Sequence, residues 1–368
     1  MNDMIKAERQ KILSRKSIKI LFIAGIFITL VYFFFFQFFY QTVYYDYESE
    51  KMDTVSGFQS IQQRKEIAAL FEGDLTQDTL KKIEAKLAAA KTETINKDEN
   101  SKFSAIYVYR DQAAILEYLI NSDGTMKSIE EGYTNSKPMI LGYCDGWDNL
   151  LSSMGSILSI IMCLIIIIGI SPVFAEEYVY HTDSVLCVAR YGKSKLIIAK
   201  IIASLESVIG MYAIYVAIYI ILYGVFYGLE GYNVNIQASI HYSASTYEMN
   251  FIQMFLSTVA LNILGIIALT IITLFFSAKM NSPVSALIIS SIICFLPVIF
   301  DFSESIPVLQ KIQEICPIFM LHVNGVFAKM QKYVGLIQPI IMIGFNIVLT
   351  IAFYKFTKHT FEKHQVTG

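Results

Sequence analysis

A short charged stretch between two apolar segments carries the side chains best suited to specific chemistry in this chain. Glu176 and Glu177 open the stretch, Asp183 follows, and Arg190 and Lys193 stand near its end. Acids favour the start of a helix and bases favour its end, because each complements the helix dipole. This order of charges predicts a structured helix-turn element, with a simple positively charged loop as the alternative. Such a set of charges suits electrostatic contact with a partner protein.

Motifs for catalysis or nucleotide binding do not occur in the sequence. It contains no G-x-x-x-x-G-K-[ST], so the chain does not itself hold a nucleotide in a P-loop. It also lacks H-E-x-x-H, G-x-S-x-G and S-x-x-K. The five His and five Cys form no metal-binding pattern. We therefore expect no catalytic residue, metal or cofactor in this chain, and whether Cys144 and Cys316 form a disulfide stays open.

The composition is that of a membrane protein. Hydrophobic residues make up 55% of the chain and charged residues only 16%, and the mean hydropathy is +0.51. A helix needs roughly 20 apolar residues to cross the bilayer core, and it satisfies its own backbone polar groups there. The sequence predicts an all-α polytopic membrane protein with six transmembrane helices. The predicted spans are 20–40, 152–172, 201–227, 251–277, 284–301 and 336–354.

Basic residues are unevenly distributed among the segments that connect these spans. Residues 1–19 carry six Lys or Arg and 173–200 carries four, whereas 228–250 carries none and 302–335 carries three. Short loops rich in Lys and Arg stay on the cytoplasmic side of a membrane. The distribution predicts a multi-pass protein of the cell (plasma) membrane with both termini in the cytoplasm.

The long segment 41–150 is predicted to form an extracytoplasmic α+β domain inserted between helices 1 and 2. Residues 46–148 carry 19 acidic and 12 basic residues, a formal charge of −7. The run 81–91 favours a helix, 103–109 is typical of a strand, and 113–120 fits either. The negative charge would attract cationic peptides or simply keep the surface soluble, and both interpretations stay open.

The remaining segments fit around the membrane spans. Residues 1–19 are predicted to form a cytoplasmic amphipathic helix at the membrane surface, or else a positive flank that only fixes the topology. Residues 20–40 form transmembrane helix 1, and 151–356 holds helices 2–6, interrupted by the cytoplasmic segment 173–200. Residues 357–368 form a cytoplasmic tail.

Three polar residues within the predicted spans are candidates for a specific role, namely Glu206, Asn262 and Asn346. Glu206 faces either Lys200 or a water-filled pathway, or it is a salt-bridged acid at the membrane boundary, since a buried charge in lipid is costly. Asn262 and Asn346 more often serve as hydrogen-bonding groups between helices. Each of the three is therefore a candidate either for a pathway or for helix packing.

The layout resembles the permease subunit of the type-2 class of ATP-binding-cassette (ABC) exporters. The resemblance rests on Phe174-Ala-Glu-Glu-Tyr178 and on Arg190-Tyr-Gly-Lys-Ser-Lys-Leu-Ile-Ile-Ala-Lys200. These runs are similar to the family's acid-led stretch and to the basic turn and lysine that open its third span. His181-Thr182 stands where members often have Gly-Thr. The likeness covers roughly 1–40 and 150–356.

The resemblance implies that 174–190 is a coupling helix that docks on a separate ABC ATPase subunit, which would bind the ATP and Mg. The residues expected to make that contact are Glu176, Glu177, Asp183, Arg190 and Lys193. A second permease subunit, either an identical copy or a sister chain, would complete the pathway within membrane lipid. The cargo would be a hydrophobic or amphipathic substrate such as a peptide, an antibiotic or a lipid, and no nucleic acid is implicated.

A membrane-bound sensor or receptor is the alternative function. The inserted segment is long enough to form an extracytoplasmic ligand-binding domain. A receptor would need a signalling domain or a kinase partner, and the sequence offers no such domain. A polytopic enzyme is disfavoured, because the sequence contains no catalytic constellation.

Overall fold

The structure is a computed structural model of the full chain. It describes residues 1–40, 42–46, 51–95, 109–121, 139–182, 195–299, 312–322, 324–328 and 337–362. Five of its helical segments are long and apolar enough to cross a membrane. The predicted class, an all-α polytopic membrane protein, is confirmed. The five segments are Lys16–Phe38, Asp145–Val179, Lys195–Phe226, Phe251–Lys279 and Gln338–Glu362.

The predicted span 284–301 corresponds to a shorter apolar helix, Pro283–Ile299, with 17 residues. At 1.5 Å per residue this helix is about 25 Å long, slightly less than the bilayer core. Pro297 lies inside it. The count of six spans therefore stays a prediction.

The N-terminal region forms two helices that meet at a sharp corner. Helix α1 spans Asn2–Ser14 and α2 spans Lys16–Tyr32, and α2 continues as a π-helix over Phe33–Phe38. Arg15 separates α1 from α2 with an extended ψ of 131°. Ile12 of α1 is buried, so α1 packs against the protein rather than lying free on a surface.

The second membrane-crossing segment combines several helical types. Helix α6 spans Asp145–Ser153, a π-helical turn spans Met154–Leu158, α7 spans Ser159–Ile170 and α8 spans Pro172–Val179. Helix α8 begins at Pro172, whose ring removes a backbone donor and favours the start of a helix. The break is mild, since the preceding serine keeps helical dihedral angles.

Four further apolar helices follow, and all but α11 are long enough to cross a membrane. They are α9 (Lys195–Phe226), α10 (Phe251–Lys279), α11 (Pro283–Ile299) and α13 (Gln338–Glu362), with the short α12 (Asn324–Phe327) before α13. Asn250 caps α10, because its side chain accepts from the Gln253 backbone while the Gln253 side chain accepts from the Asn250 backbone.

Tyrosine side chains join α9 to α2 along their length. The Tyr215 hydroxyl donates to the Phe22 carbonyl at 2.7 Å, and the Tyr219 hydroxyl lies 3.3 Å from the Thr29 hydroxyl. Tyr223 reaches Gln37 beyond them. Hydrogen bonds of this kind hold membrane helices together where the hydrophobic effect does not favour association.

The segment between the first two spans holds both helices and strands. Its described elements are β1 (Thr42–Asp46), β2 (Lys51–Val55), α3 (Gly57–Ala69), β3 (Gly73–Asp74), α4 (Gln77–Ile95), α5 (Arg110–Leu119) and β4 (Ile140–Leu141). Strand β1 pairs antiparallel with β2, and β3 pairs antiparallel with β4. The run 81–91 is helical as expected, and 113–120, for which strand and helix were both open, is helical through Leu119. The strand predicted at 103–109 lies almost wholly outside the described residues.

We expect Gly25→Ala to loosen the contact between α2 and α9. A Cβ at this position would lie 2.2 Å from the Tyr215 hydroxyl and 2.8 Å from Ile161 Cγ2. Overpacking of this kind costs about 1–3 kcal/mol, and thermal unfolding of the purified protein measures it. Gly210→Ala in α9 is the matched control, because its Cβ would meet no atom within 4 Å. Equal stability of the two variants would contradict this prediction.

Candidate functional site

Charged side chains from three elements meet at the end of the bundle where α1 lies. Their centre, called here the Lys200 cluster, consists of Glu8 and Lys11 from α1, Glu177 from α8 and Lys200 from α9. It joins the predicted coupling segment to the third span and to the N-terminal helix.

The Lys200 ammonium group is fully buried among two carboxylates and a backbone carbonyl. It lies 2.6 Å from Glu177 Oε1, with which it forms an ion pair. It donates hydrogen bonds to Glu8 Oε2 at 3.0 Å and to the Val173 carbonyl at 3.2 Å. The Phe174 ring lies 5.7 Å away. Because the buried Lys200 pairs with acids of both α1 and α8, it fixes the positions of these two helices relative to α9.

Glu177 is the shared acid of the cluster. Its side chain is only 4% exposed, and its Oε1 atom also accepts from Lys11 at 3.3 Å. Its Oε2 atom has no hydrogen-bond partner among the described residues. Lys11 and Lys200 therefore both contact Oε1 of Glu177, whereas the buried Oε2 loses its hydrogen bonds to water without gaining one from the described residues.

Two further ion pairs flank the cluster. Arg15 pairs with Glu176 at 2.5 Å and also donates to the Gly169 carbonyl at 3.1 Å. Arg9 pairs with Glu206 at 3.0 Å, and both side chains are more than 40% exposed. The Arg15 pair ties the corner between α1 and α2 to α8, whereas the exposed Arg9 pair contributes little to stability.

The structure brings together some of the predicted coupling residues. Glu176 and Glu177 lie at the cluster, but Glu177 is buried in internal ion pairs and does not present its carboxylate to a docking protein. Asp183, Arg190 and Lys193 lie outside the described residues. The predicted coupling role of these five residues stays a prediction.

Each of the three polar residues singled out within the spans has a partner. Glu206 pairs with Arg9 rather than with Lys200, which matches the salt-bridged alternative. The Asn262 amide lies 3.0 Å from the Tyr212 hydroxyl, and the Asn346 amide nitrogen donates to the Ile315 carbonyl at 2.9 Å. Both asparagines join different elements of the fold. Whether these three residues serve helix packing or a pathway stays a prediction.

Sequence reasoning missed the acid and bases that α1 contributes. Glu8 and Lys11 lie three residues apart, so they fall on one helical face, and Arg15 follows one turn later. Lys200 was recognised as the lysine that opens the third span, but no local signal predicts that it pairs across 192 residues with Glu8.

A second charged junction lies at the opposite end of the bundle. Arg64 of α3 makes two hydrogen bonds to Asp145, at 2.9 and 3.0 Å, and a third to Asp111 of α5. Burial acts to lower the pKa of Arg64, but the two carboxylates outweigh it and raise the pKa well above its ordinary value. The guanidinium therefore stays charged and fastens the inserted segment to the start of α6.

Asp148 extends this junction to the loop between α9 and α10. One of its carboxylate oxygens accepts from the Ser239 hydroxyl at 2.6 Å and lies 2.8 Å from His241 Nδ1. The Ser239 hydroxyl and the His241 ring thus bind the same acid, and the backbone N–H of His241, not its ring, donates to the Ser239 hydroxyl at 3.2 Å, unlike the ring contact of a catalytic triad. The arrangement is suited to holding the loop in place.

Neither junction offers a metal site. Among the described ranges, no group of three or more His, Cys, Asp or Glu side chains could hold a metal ion. Cys144 and Cys316 are both free thiols, so they are not paired with each other. The Lys200 cluster provides ion pairs, and these hold α1, α8 and α9 together.

Comparison with known proteins gives no match. No protein-family model, no curated protein and no solved structure is similar to this chain.

We expect Lys200→Met to destabilise the protein strongly. The substitution leaves the buried Glu177 carboxylate with Lys11 alone, and breaking a buried ion pair costs about 3–5 kcal/mol. Adding Glu177→Gln in the same chain removes the uncompensated charge and should recover part of the loss. Thermal unfolding of the single and double variants measures the coupling between the two residues.

The exposed ion pair provides the control. Arg9→Gln breaks the contact to Glu206 and should change stability by about 1 kcal/mol or less. A Lys200→Met variant that unfolds like Arg9→Gln would show that the buried cluster does not hold the three elements together.

We expect the His241–Asp148 contact to stabilise the protein only at lower pH. The hydrogen bond and the charge of Asp148 raise the pKa of His241 above its ordinary value of 6.5. A raised histidine pKa gives stability that is fully present below about pH 6.5 and is lost as the pH rises through the folded-state value. The difference in melting temperature between wild type and His241→Gln should therefore be larger at about pH 6 than at about pH 9. A difference that does not depend on pH would contradict this assignment.

Proposed function

We propose that this chain is the transmembrane permease subunit of an ATP-driven ABC transporter. The observation that carries the proposal is the buried ion pair between Glu177 of α8 and Lys200 of α9. It links the segment that resembles a coupling helix directly to a membrane-crossing helix. A push on this segment would therefore move α9 and, through Glu8, the N-terminal helix.

The end of α8 offers a surface for the motor protein. Val179 is 49% exposed and Tyr180 is 69% exposed, and they lie next to the buried Glu177. Tyrosine is common among residues that dominate protein interfaces. In this arrangement the exposed end binds the ATPase, while the buried cluster behind it transmits the displacement.

The proposal extends to the rest of the assembly. The partner ATPase binds ATP and Mg, and a second permease subunit, identical or a sister chain, completes the pathway. The protein lies in the cell membrane with both termini in the cytoplasm, six transmembrane helices and an extracytoplasmic α+β domain. The cargo is a hydrophobic or amphipathic peptide, antibiotic or lipid that is exported. ATP binding shifts the permease between its states only if the ATPase contacts the two states differently.

We expect the tagged full chain, purified from its native membranes, to carry an ATP-hydrolysing protein with it. Val179→Ser combined with Tyr180→Ser should reduce the recovered ATPase about tenfold, because the exposed apolar contact is lost. The melting temperature should not change, since both side chains are exposed. Reversing the charge of Glu177 is a poorer test, because that residue also holds the buried cluster together.

Phe58→Ser in α3 is the matched control. This side chain is also well exposed but lies at the other end of the bundle, and the variant should recover as much ATPase as wild type. If no ATP-hydrolysing protein accompanies the wild-type chain, or if the double variant retains it fully, the proposal is wrong.

A membrane-bound sensor is the second candidate, and the Arg64 junction favours it. A ligand that moved the inserted segment would pull on Asp145 at the start of α6. Recovery of a signalling protein instead of an ATPase in the same purification would support the sensor.

A further inference from the structure

A cleft of about 410 Å³ lies between α3, the β3–β4 sheet and the loop that follows α9. Its volume falls in the range of small-ligand sites. We call it the α3 cleft. Its polar and aromatic lining consists of Lys65, Glu72, Tyr143, Glu230 and Asn233.

An ammonium group already lies in this cleft. Lys65 Nζ is 5.0 Å from the centre of the Tyr143 ring and hydrogen-bonds to Glu230. An aromatic face and a carboxylate together attract a cation, because the ring quadrupole and the negative charge act in the same direction. The lysine shows which kind of group the cleft accommodates.

The cleft carries more negative than positive charge. Among the described residues that line it, Lys65 is the only base, against Glu72 and Glu230. Glu72 makes no ion pair within the part of the chain that the structure describes. Burial, followed by the charges of Asp145 and Glu230, raises the pKa of Tyr143 above its ordinary value. Burial disfavours an unpaired charge of either sign, whereas the carboxylate of Glu230 can compensate a cation beside the ring.

The loop backbone is built to bring Glu230 to this position. Gly228 and Gly231 on either side of it have φ values of +83° and +79°, which side-chain-bearing residues rarely adopt. A Cβ at Gly231 would lie 1.9 Å from the Tyr143 carbonyl oxygen. Glycine thus permits the close approach of two backbones at the floor of the cleft.

We propose that the α3 cleft binds the cationic side chain of a lysine-rich peptide. The incoming ammonium takes the place of Lys65 over the Tyr143 ring and against Glu230, and Glu72 supplies a second carboxylate. Lys65 then acts as a tethered competitor that occupies the site while no peptide is bound. This inference stands apart from the permease proposal, because it needs no ATPase partner.

The single tryptophan of the chain provides the readout. Trp147 donates its indole N–H to the Leu229 carbonyl at 3.0 Å, directly beside Glu230. Displacement of Lys65 changes the surroundings of this loop and therefore the tryptophan fluorescence. We expect pentalysine, titrated into the purified full chain, to give a saturable change that weakens with added salt, and pentaglutamate to give none.

The variants separate binding from folding. Lys65→Gln removes the tethered competitor and should tighten pentalysine binding about tenfold. Glu72→Gln and Glu230→Gln should each weaken it by about the same factor. Glu66→Gln is the matched control, because it removes one acid of α3, next to Lys65, at a residue that bonds Gln62 and does not line the cleft.

The outcomes either support or overturn the proposal. Tighter binding by Lys65→Gln together with weaker binding by Glu72→Gln supports it, and a misfolded protein would not produce the gain. No fluorescence change with pentalysine, an equal change with pentaglutamate, or equal effects of Glu66→Gln and Glu72→Gln would overturn it. These outcomes do not depend on whether an ATPase is recovered with the purified chain, so the two proposals can fail separately.

Discussion

The arrangement of this protein at one end of its bundle depends on the burial of a single ammonium group. Lys200 loses all contact with water, so groups of the protein must compensate its charge. Glu8, Glu177 and the Val173 carbonyl do so from two other elements. The position of α9 therefore cannot change independently of α1 and α8. Helix α8 is in this way connected to α1 and α9 through one side chain.

The opposite end of the bundle is also held together by a buried cation, in this case the guanidinium of Arg64. Arg64 holds two carboxylates in a fixed planar geometry, which a lysine could not do. Asp145 begins the second crossing segment, and Asp111 belongs to the inserted segment. The two ends of the protein are thus each fixed by one buried base that reaches across elements far apart in sequence. Between them, the tyrosines of α9 hold the first and third crossing segments side by side.

The sequence predicts the helices well and their contacts poorly. Long apolar runs need internally bonded backbones in lipid, so five of the predicted spans follow from composition alone. The run 284–301 is harder, because Pro297 lies within it and its helix falls short of the bilayer core. The Lys200 cluster could be predicted only in part. The acids at 176 and 177 stand out locally, but their partners Lys11 and Arg15 come from a region whose bases are equally explained by membrane topology. The hairpin of β1 and β2 was also missed, because its tyrosines fit a membrane-interface belt as well as a strand.

The π-helical turn over Met154–Leu158 has a consequence for how this chain can vary. A π-turn holds one residue more than the α-helical turn it replaces. His322 contacts the Gly155 carbonyl within this turn, and Asn324 donates to the Leu151 carbonyl just before it. Deleting one residue here would turn the π-helix into an ordinary α-helix and would rotate the residues on its two sides relative to each other. The length of this helix and the positions of His322 and Asn324 would therefore have to change together.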